Sequence, residues 1–400
     1  MSIELSKKHL NLSPSMTLSI AAKAAEMKAQ GNDVIGFGVG EPDFNTPQHI
    51  IDKAIEAMDK GLTGYTAASG TPELKKAICN KLQKDNGLEY SPNQIIVSNG
   101  AKHSIYNALQ AICNPGDEVI IGIPYWVSYP ELVKMADGEP VYIEGKEENE
   151  FKMTPESIKK KITPKTKAIL LNSPGNPTGT VYTKEELRAI AELMAEHNII
   201  IISDEIYEKL IYGEEPHVSV ASFNEKIKDL TIVVNGLSKG YAMTGWRIGY
   251  TASNKEIAKV MGNIQSHATS NPNTMAQYAS VEALEGDQSS IEEMKVEFNK
   301  RRQFMVKRIN EIKGVSCIEP QGAFYVMMNI KELKGRTLAG KKVNNSIEIA
   351  EMILEKTQVA LVPGIAFGSD DYLRLSYANS LENIKTGLNR IDDFLSKELE

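Results

Sequence analysis

Short runs of uninterrupted apolar, largely β-branched residues recur through the middle of the chain, at 94–97, 118–121, 168–171, 199–202 and 231–234. Longer stretches between them repeat their apolar positions at helical spacing. A strand that stays apolar without alternating is buried on both faces, as in a parallel sheet covered by helices. Among the intervening segments, Thr183-Lys184-Glu185-Glu186 is a capping box, followed by Leu187, Ile190, Ala191 and Met194 on one face. Thr154-Pro155 sets an N-cap residue ahead of a proline at the first helical position. The pattern predicts an α/β fold: an open, mostly parallel sheet with crossover helices on both faces.

The pattern changes near residue 290. Ile291, Met294, Phe298, Met305, Ile309 and Ile312 trace an apolar stripe along a long helix ending at Gly314. Strand-like pieces follow at 323–326 and 372–377, and an amphipathic helix closes the chain. The expected organisation is a large domain over 48–290 and a smaller α+β domain over 291–400. Residues 1–47 are expected to belong mainly to the smaller domain and to a lid.

Composition narrows the function classes. Hydrophobic residues make up 42% of 400 positions, enough for sizeable cores without disulfides or a structural metal. The net charge of −7 favours solubility and argues against a nucleic-acid partner; runs such as Lys159-Lys160-Lys161 read as solvated helix faces. The three cysteines, Cys79, Cys113 and Cys317, form no C-x-x-C pair, so neither zinc nor a disulfide framework is indicated. The six histidines show no metal-ligand spacing. With no apolar leader in residues 1–8 and no run long enough to span a bilayer, a cytoplasmic protein without membrane association is expected.

Ligands of open α/β sheets bind at the carboxyl ends of the strands, which makes the residues after each run the place to look. Ser98-Asn99-Gly100-Ala101-Lys102 opens a helix and offers free N–H groups to a phosphate, although many βα turns contain glycine. Trp126 could stack on a flat ring or simply pack in a core. The loop from Asn172 to Gly179 fixes Asn176 between two prolines, or is an ordinary turn. Asp204 ends a wholly apolar strand, where ionisation is costly unless a cation lies opposite. Ser238-Lys239 and Arg247 bring cations to the same edge, although most lysines are surface residues. The ordinary explanations must all hold at once, whereas one phosphorylated, nitrogen-containing aromatic aldehyde suits the whole set.

With these motifs, and with Gly40-Glu41-Pro42-Asp43-Phe44, Gly64-Tyr65 and Arg374-Leu375-Ser376, the sequence resembles the class I aminotransferases of the fold-type I pyridoxal-phosphate family, over nearly the whole chain. The wording at 39–47 and 124–129 is similar to the bacterial aspartate aminotransferase subgroup. The resemblance implies pyridoxal 5′-phosphate held as a Schiff base on Lys239, with Asp204 on its pyridine nitrogen. It further implies Asn176 and Tyr207 on the phenolic oxygen, and Trp126 on the ring. The phosphate is expected at Gly100, Ala101, Lys102, Ser238 and Arg247. Tyr65 would reach it from the neighbouring subunit, in a homodimer with shared sites. Arg374 would grip the substrate α-carboxylate, Lys102 the acidic side chain, and Gly40 would lie in a closing segment.

The activity so implied transfers the amino group of aspartate to 2-oxoglutarate. Another donor (alanine, an aromatic amino acid or prephenate), a lyase reaction, or a non-catalytic cofactor sensor remain as alternatives. Leu12-Ser13-Pro14-Ser15 has serine where prephenate-using relatives carry a lysine before Pro-Ser, which argues against prephenate. Gly36-Phe37-Gly38-Val39-Gly40 superficially suggests a dinucleotide fingerprint, but Pro42 and Pro47 stand where a helix should open.

Overall fold

A computed structural model describes residues 3–6, 10, 12–14 and 16–399. Among these, seven strands form the main sheet: β1 (Ile95–Ser98), β2 (Glu118–Ile123), β3 (Glu139–Glu144), β4 (Thr166–Asn172), β5 (Ile200–Asp204), β6 (Thr231–Gly236) and β7 (Gly249–Ala252). Their spatial order is β1-β7-β6-β5-β4-β2-β3. All neighbours run parallel except β7, which is antiparallel to both β1 and β6. The five apolar runs are thus five of the strands. β3 escaped the sequence pattern because Glu139, Pro140 and Glu144 interrupt it, as an edge strand allows. β7 lies within the motif read for its arginine.

Alternate residues of each strand feed opposite cores, which is why the runs are apolar throughout. Ile96, Ile121, Leu170, Ile202 and Val234 pack on one face, with helix α1 (Ala101–Ile112). Ile120, Ile169, Leu171 and Ile201 pack on the other, with α2 (Lys184–Glu196), whose expected Thr183–Glu186 capping box forms.

A further core surrounds an antiparallel sheet of β8 (Tyr325–Asn329), β9 (Val362–Pro363) and β10 (Tyr372–Ser376), in the order β9-β10-β8. It takes in the stripe of α3 (Ser289–Glu311) and the apolar face of α4 (Leu381–Glu398). The long helix stops at Glu311, three residues short of the expected Gly314, which itself adopts φ +85°. The segment Ile35–Gly36 pairs in parallel with Val359–Ala360, and Phe37 enters the same core. Ile206, Tyr207 and Leu210, just past β5, belong to it as well. The end of β5 is therefore where the two sheets' cores meet.

One close approach joins sheet to helix at that edge. A side chain on Gly249, at the start of β7, would collide with the backbone of Gly100 and Ala101. Gly249→Ala is expected to push the first turn of α1 off the sheet, at a cost of about 1–3 kcal/mol. An unaltered midpoint in urea unfolding would contradict this.

Candidate active site

The carboxyl ends of β1, β4, β5 and β6 surround a cavity of about 480 Å³. Lys239, Asp204, Tyr207, Asn176, Trp126, Ala101, Lys102, Ser238, Arg247, Gly40 and Arg374 all line it. Of the residues singled out from the sequence, only Gly100 and Tyr65 do not. Tyr65 is 94% exposed on its own chain.

At one end, the β1–α1 turn has the form that can hold an anion. Gly100 caps α1 at φ +85°, and a side chain there would collide with the Arg247 guanidinium, so glycine is required twice over. Its N–H donates to the Ser98 carbonyl at 2.8 Å. This leaves Ala101 and Lys102, in the first helical turn, with N–H groups that no preceding turn can accept from. Arg247 is held beside them by donating to the Thr244 carbonyl (2.9 Å) and the Asn99 carbonyl (3.2 Å). Burial, with Arg247 nearby, lowers the Lys102 pKa. Its ammonium stands 5.0 Å from the Trp126 ring centre.

In the middle lies Asp204, which is buried, and burial raises its pKa to about 6. The Tyr129 hydroxyl donates to its Oδ2 at 2.7 Å and the Ile206 N–H to Oδ1 at 3.3 Å, both opposing that rise. Tyr129 also meets Trp126 edge-on, centroids 5.3 Å apart. The proline-rich loop is tied to β5 through Asn172, whose Nδ2 donates to the Asp204 carbonyl (2.9 Å) while its Oδ1 accepts from the Asn176 N–H (2.8 Å). The loop is a built element of the site, with Asn176 on its cavity side.

Lys239 extends from the turn after β6 and donates to the Gly40 carbonyl. Burial, reinforced by Arg247 and Arg374, lowers its pKa to about 8, against the opposite pull of Glu41 and Asp204. At the far end Arg374 is 2% exposed. It donates from Nη1 to Asn176 Oδ1 (3.1 Å) and from Nη2 to the Gly38 carbonyl (2.8 Å), while its buried Nε has no hydrogen-bond partner. Side chains alternate along 372–377, so Leu373, Leu375 and Tyr377 enter the core opposite Arg374.

Several cavity residues had no role in the sequence reading: Tyr129, Tyr325, Asn172, Glu41 and Thr244. Tyr129 sits three positions after Trp126, the one available signal; Tyr325 was visible only as part of a strand. Glu41 accepts from the Thr244 hydroxyl at 2.7 Å. Nor did sequence spacing reveal that Glu205, Glu208 and His217 gather beneath the Asp204 segment. His217 Nε2 lies 3.0 Å from Glu205 Oε2, and Lys81 pairs with Glu208. The hydroxyls of Ser203 and Ser219 donate to Glu205 Oε1 at 2.9 and 2.7 Å. Of the prephenate motif, Ser13 donates its N–H to Glu131 (3.2 Å), and Ser15 lies outside the described residues.

The raised pKa of Asp204 carries a stability cost. Above pH 6 the folded chain must hold it ionised, while the unfolded chain, with a value near 3.8, does so freely. Asp204→Asn should therefore stabilise the cofactor-free protein at pH 8, by on the order of 1–3 kcal/mol. The gain should shrink as pH falls through 6 and vanish below 3.8, where both states are protonated. Urea midpoints at pH 8 and pH 4 check this; a variant destabilised at pH 8 would refute it.

The model of the family described as aminotransferase class I and II matches residues 32–391. An aspartate aminotransferase of Bacillus subtilis (strain 168) is 51% identical over 99% of this chain and 100% of its own length. An aspartate/prephenate aminotransferase of Nitrosomonas europaea is 45% identical over 98% of this chain and 100% of its own. Among solved structures, the aspartate aminotransferase of Rhizobium meliloti superposes with a TM-score of 0.95 at 41% identity, covering 99% of both chains. That of Thermus thermophilus with maleate gives 0.93 at 40% identity, covering 98% of this chain and 100% of the other. With this fold and this site, the chain belongs to the class I and II aminotransferases.

Proposed function

We propose that this enzyme moves the amino group of L-aspartate to 2-oxoglutarate, giving oxaloacetate and L-glutamate, with pyridoxal 5′-phosphate as cofactor. One observation carries the reading: a half-buried lysine, a buried carboxylate and a buried arginine converge on one cavity whose floor is a helix N-terminus. The donor set fits the cofactor end for end. The cradle takes a phosphate, a buried carboxylate awaits a protonated ring nitrogen, and a primary amine of lowered pKa faces an aldehyde. When bound, the cofactor supplies an electron sink for negative charge at the substrate α-carbon.

The chain's own residues do the rest. The Ala101 and Lys102 N–H groups, Ser238 and Arg247 hold the phosphate, on the turn shaped by Gly100. Asp204 keeps the ring nitrogen protonated, Asn176 and Tyr207 donate to the phenolic oxygen, and Trp126 covers the ring. Lys239, neutral in good part near pH 8, binds the cofactor and then carries a proton to and from the α-carbon. Arg374 takes the α-carboxylate through its planar fork, exchanging its contacts with Gly38 and Asn176 for it. Lys102 faces the acidic side chain, and the segment around Gly40 closes over the site to exclude water. The exposure of Tyr65 supports its reaching the phosphate of a second subunit in a homodimer.

The same reading takes residues 48–290 as the cofactor-holding domain and 291–400, with 1–47, as the smaller one. No helix among the described residues is long and apolar enough to cross a membrane, in keeping with a cytoplasmic enzyme. The relatives named for both aspartate and prephenate make prephenate the second substrate to test.

A panel of amino donors with 2-oxoglutarate should give fastest turnover with aspartate; absence of oxaloacetate would sink the assignment. Lys239→Ala should lower transamination by roughly 10²–10⁴-fold and abolish covalent retention of cofactor after borohydride treatment. Capture of pyridoxal phosphate by the cofactor-free enzyme requires the neutral Lys239 amine. Its rate should climb with pH and level off above about 8. A rate still climbing at pH 10 would mean that burial does not lower this pKa.

A further inference from the structure

Tyr325 is buried on β8 and lines the cavity. In the β8–β10 ladder it stands opposite Ser376, which places it diagonal to Arg374 on the same face. Its ring centre is 4.5 Å from the Arg374 guanidinium, whose distance to the Phe367 ring is 4.9 Å. Its hydroxyl is 3.0 Å from that of Tyr207. A side chain on Gly40 would come within 3.1 Å of the same hydroxyl. One residue thus touches the arginine, the tyrosine and the segment at the cavity mouth.

We propose that Tyr325 is a positioning residue with two separable duties: its ring orients Arg374 for the substrate α-carboxylate, and its hydroxyl aims the Tyr207 proton at the cofactor. This rests on the function proposed above. The ring's duty follows from the aromatic surroundings of the guanidinium. A buried cation gains from aromatic faces, and flanking rings restrict its tilt, so the fork stays directed into the cavity. The hydroxyl's duty follows from proton counting. A tyrosine has one O–H to donate, and in a pair of hydroxyls one donates to the other. If Tyr325 donates to Tyr207, the Tyr207 proton is left for an anionic oxygen in the cavity. If the direction were reversed, Tyr207 would have no proton to offer there.

The test uses the cofactor-loaded enzyme, with absorbance titration of the bound cofactor against pH and equilibrium binding of maleate as an unreactive dicarboxylate. Tyr325→Phe keeps the ring and the volume. It should move the spectral midpoint by roughly half a pH unit or more, with maleate Kd changed less than about threefold. Tyr325→Leu removes the ring and should weaken maleate about tenfold. Three results would overturn the assignment: a phenylalanine variant with an unmoved midpoint, a leucine variant binding maleate at full strength, or a phenylalanine variant losing maleate as severely as the leucine one. If the leucine variant does not fold, the phenylalanine midpoint decides alone. Failure of the unsubstituted enzyme to transaminate aspartate would instead reject the parent reading, so the two are told apart.

Discussion

Asp204 is a carboxylate at the end of an apolar strand, surrounded by protein and held ionised at the expense of the fold. Much of the site can be understood as provision for that one group. Tyr129 and the Ile206 N–H occupy its two oxygens from the sides, and Asn172 fastens its carbonyl. None of these neutralises a charge, so Asp204 keeps a pKa near 6 and remains a receptor for a cation. A surface carboxylate would have no such preference, because water would serve it as well as a ligand.

The cations of the site are arranged on the converse principle. Lys239, Arg247, Arg374 and Lys102 share one cavity; burial lowers the pKa of Lys239, Arg374 and Lys102, and for the two lysines the neighbouring Arg247 adds to the lowering. Three of them are held apart by backbone carbonyls, with Arg374 on Gly38, Arg247 on Thr244 and Asn99, and Lys239 on Gly40. Carbonyl oxygens orient a donor without cancelling its charge, which leaves each cation available to a ligand's phosphate or carboxylate. For lysine the effect is chemical: a pKa near 8 turns a surface-type ammonium into a group that can work as an amine.

What lies beneath the site has the opposite character. Within 203–208, Asp204 and Tyr207 face the cavity, while Glu205 and Glu208 turn away into a buried cluster with Lys81, His217 and two serines. There each carboxylate has its partners, Glu208 on Lys81 and Glu205 on His217 and the two serine hydroxyls. Paired charges of this kind are dear to break, since loss of one partner strands the other in a low dielectric. The same short segment therefore carries an unsatisfied face for chemistry and a satisfied face for anchorage.

The sequence by itself determined the α/β class, because strands buried on both faces leave unbroken apolar runs. It also pointed to the strand ends whose residues line the cavity, because an aspartate closing such a run and a lysine in a short turn are conspicuous against their surroundings. It could not show β3, whose exposed edge permits charges, nor the partnership of Tyr129 with Asp204, which spans 75 positions. Tyr325 read as one more strand aromatic until the β8–β10 register placed it beside Arg374. The clustering of Glu205, Glu208 and His217 was equally silent. Residue type and local periodicity record what each position can do and how deeply it is buried. Which groups meet, and hence which charges are cancelled and which are kept, depends on long-range packing, and only the tertiary structure decided that.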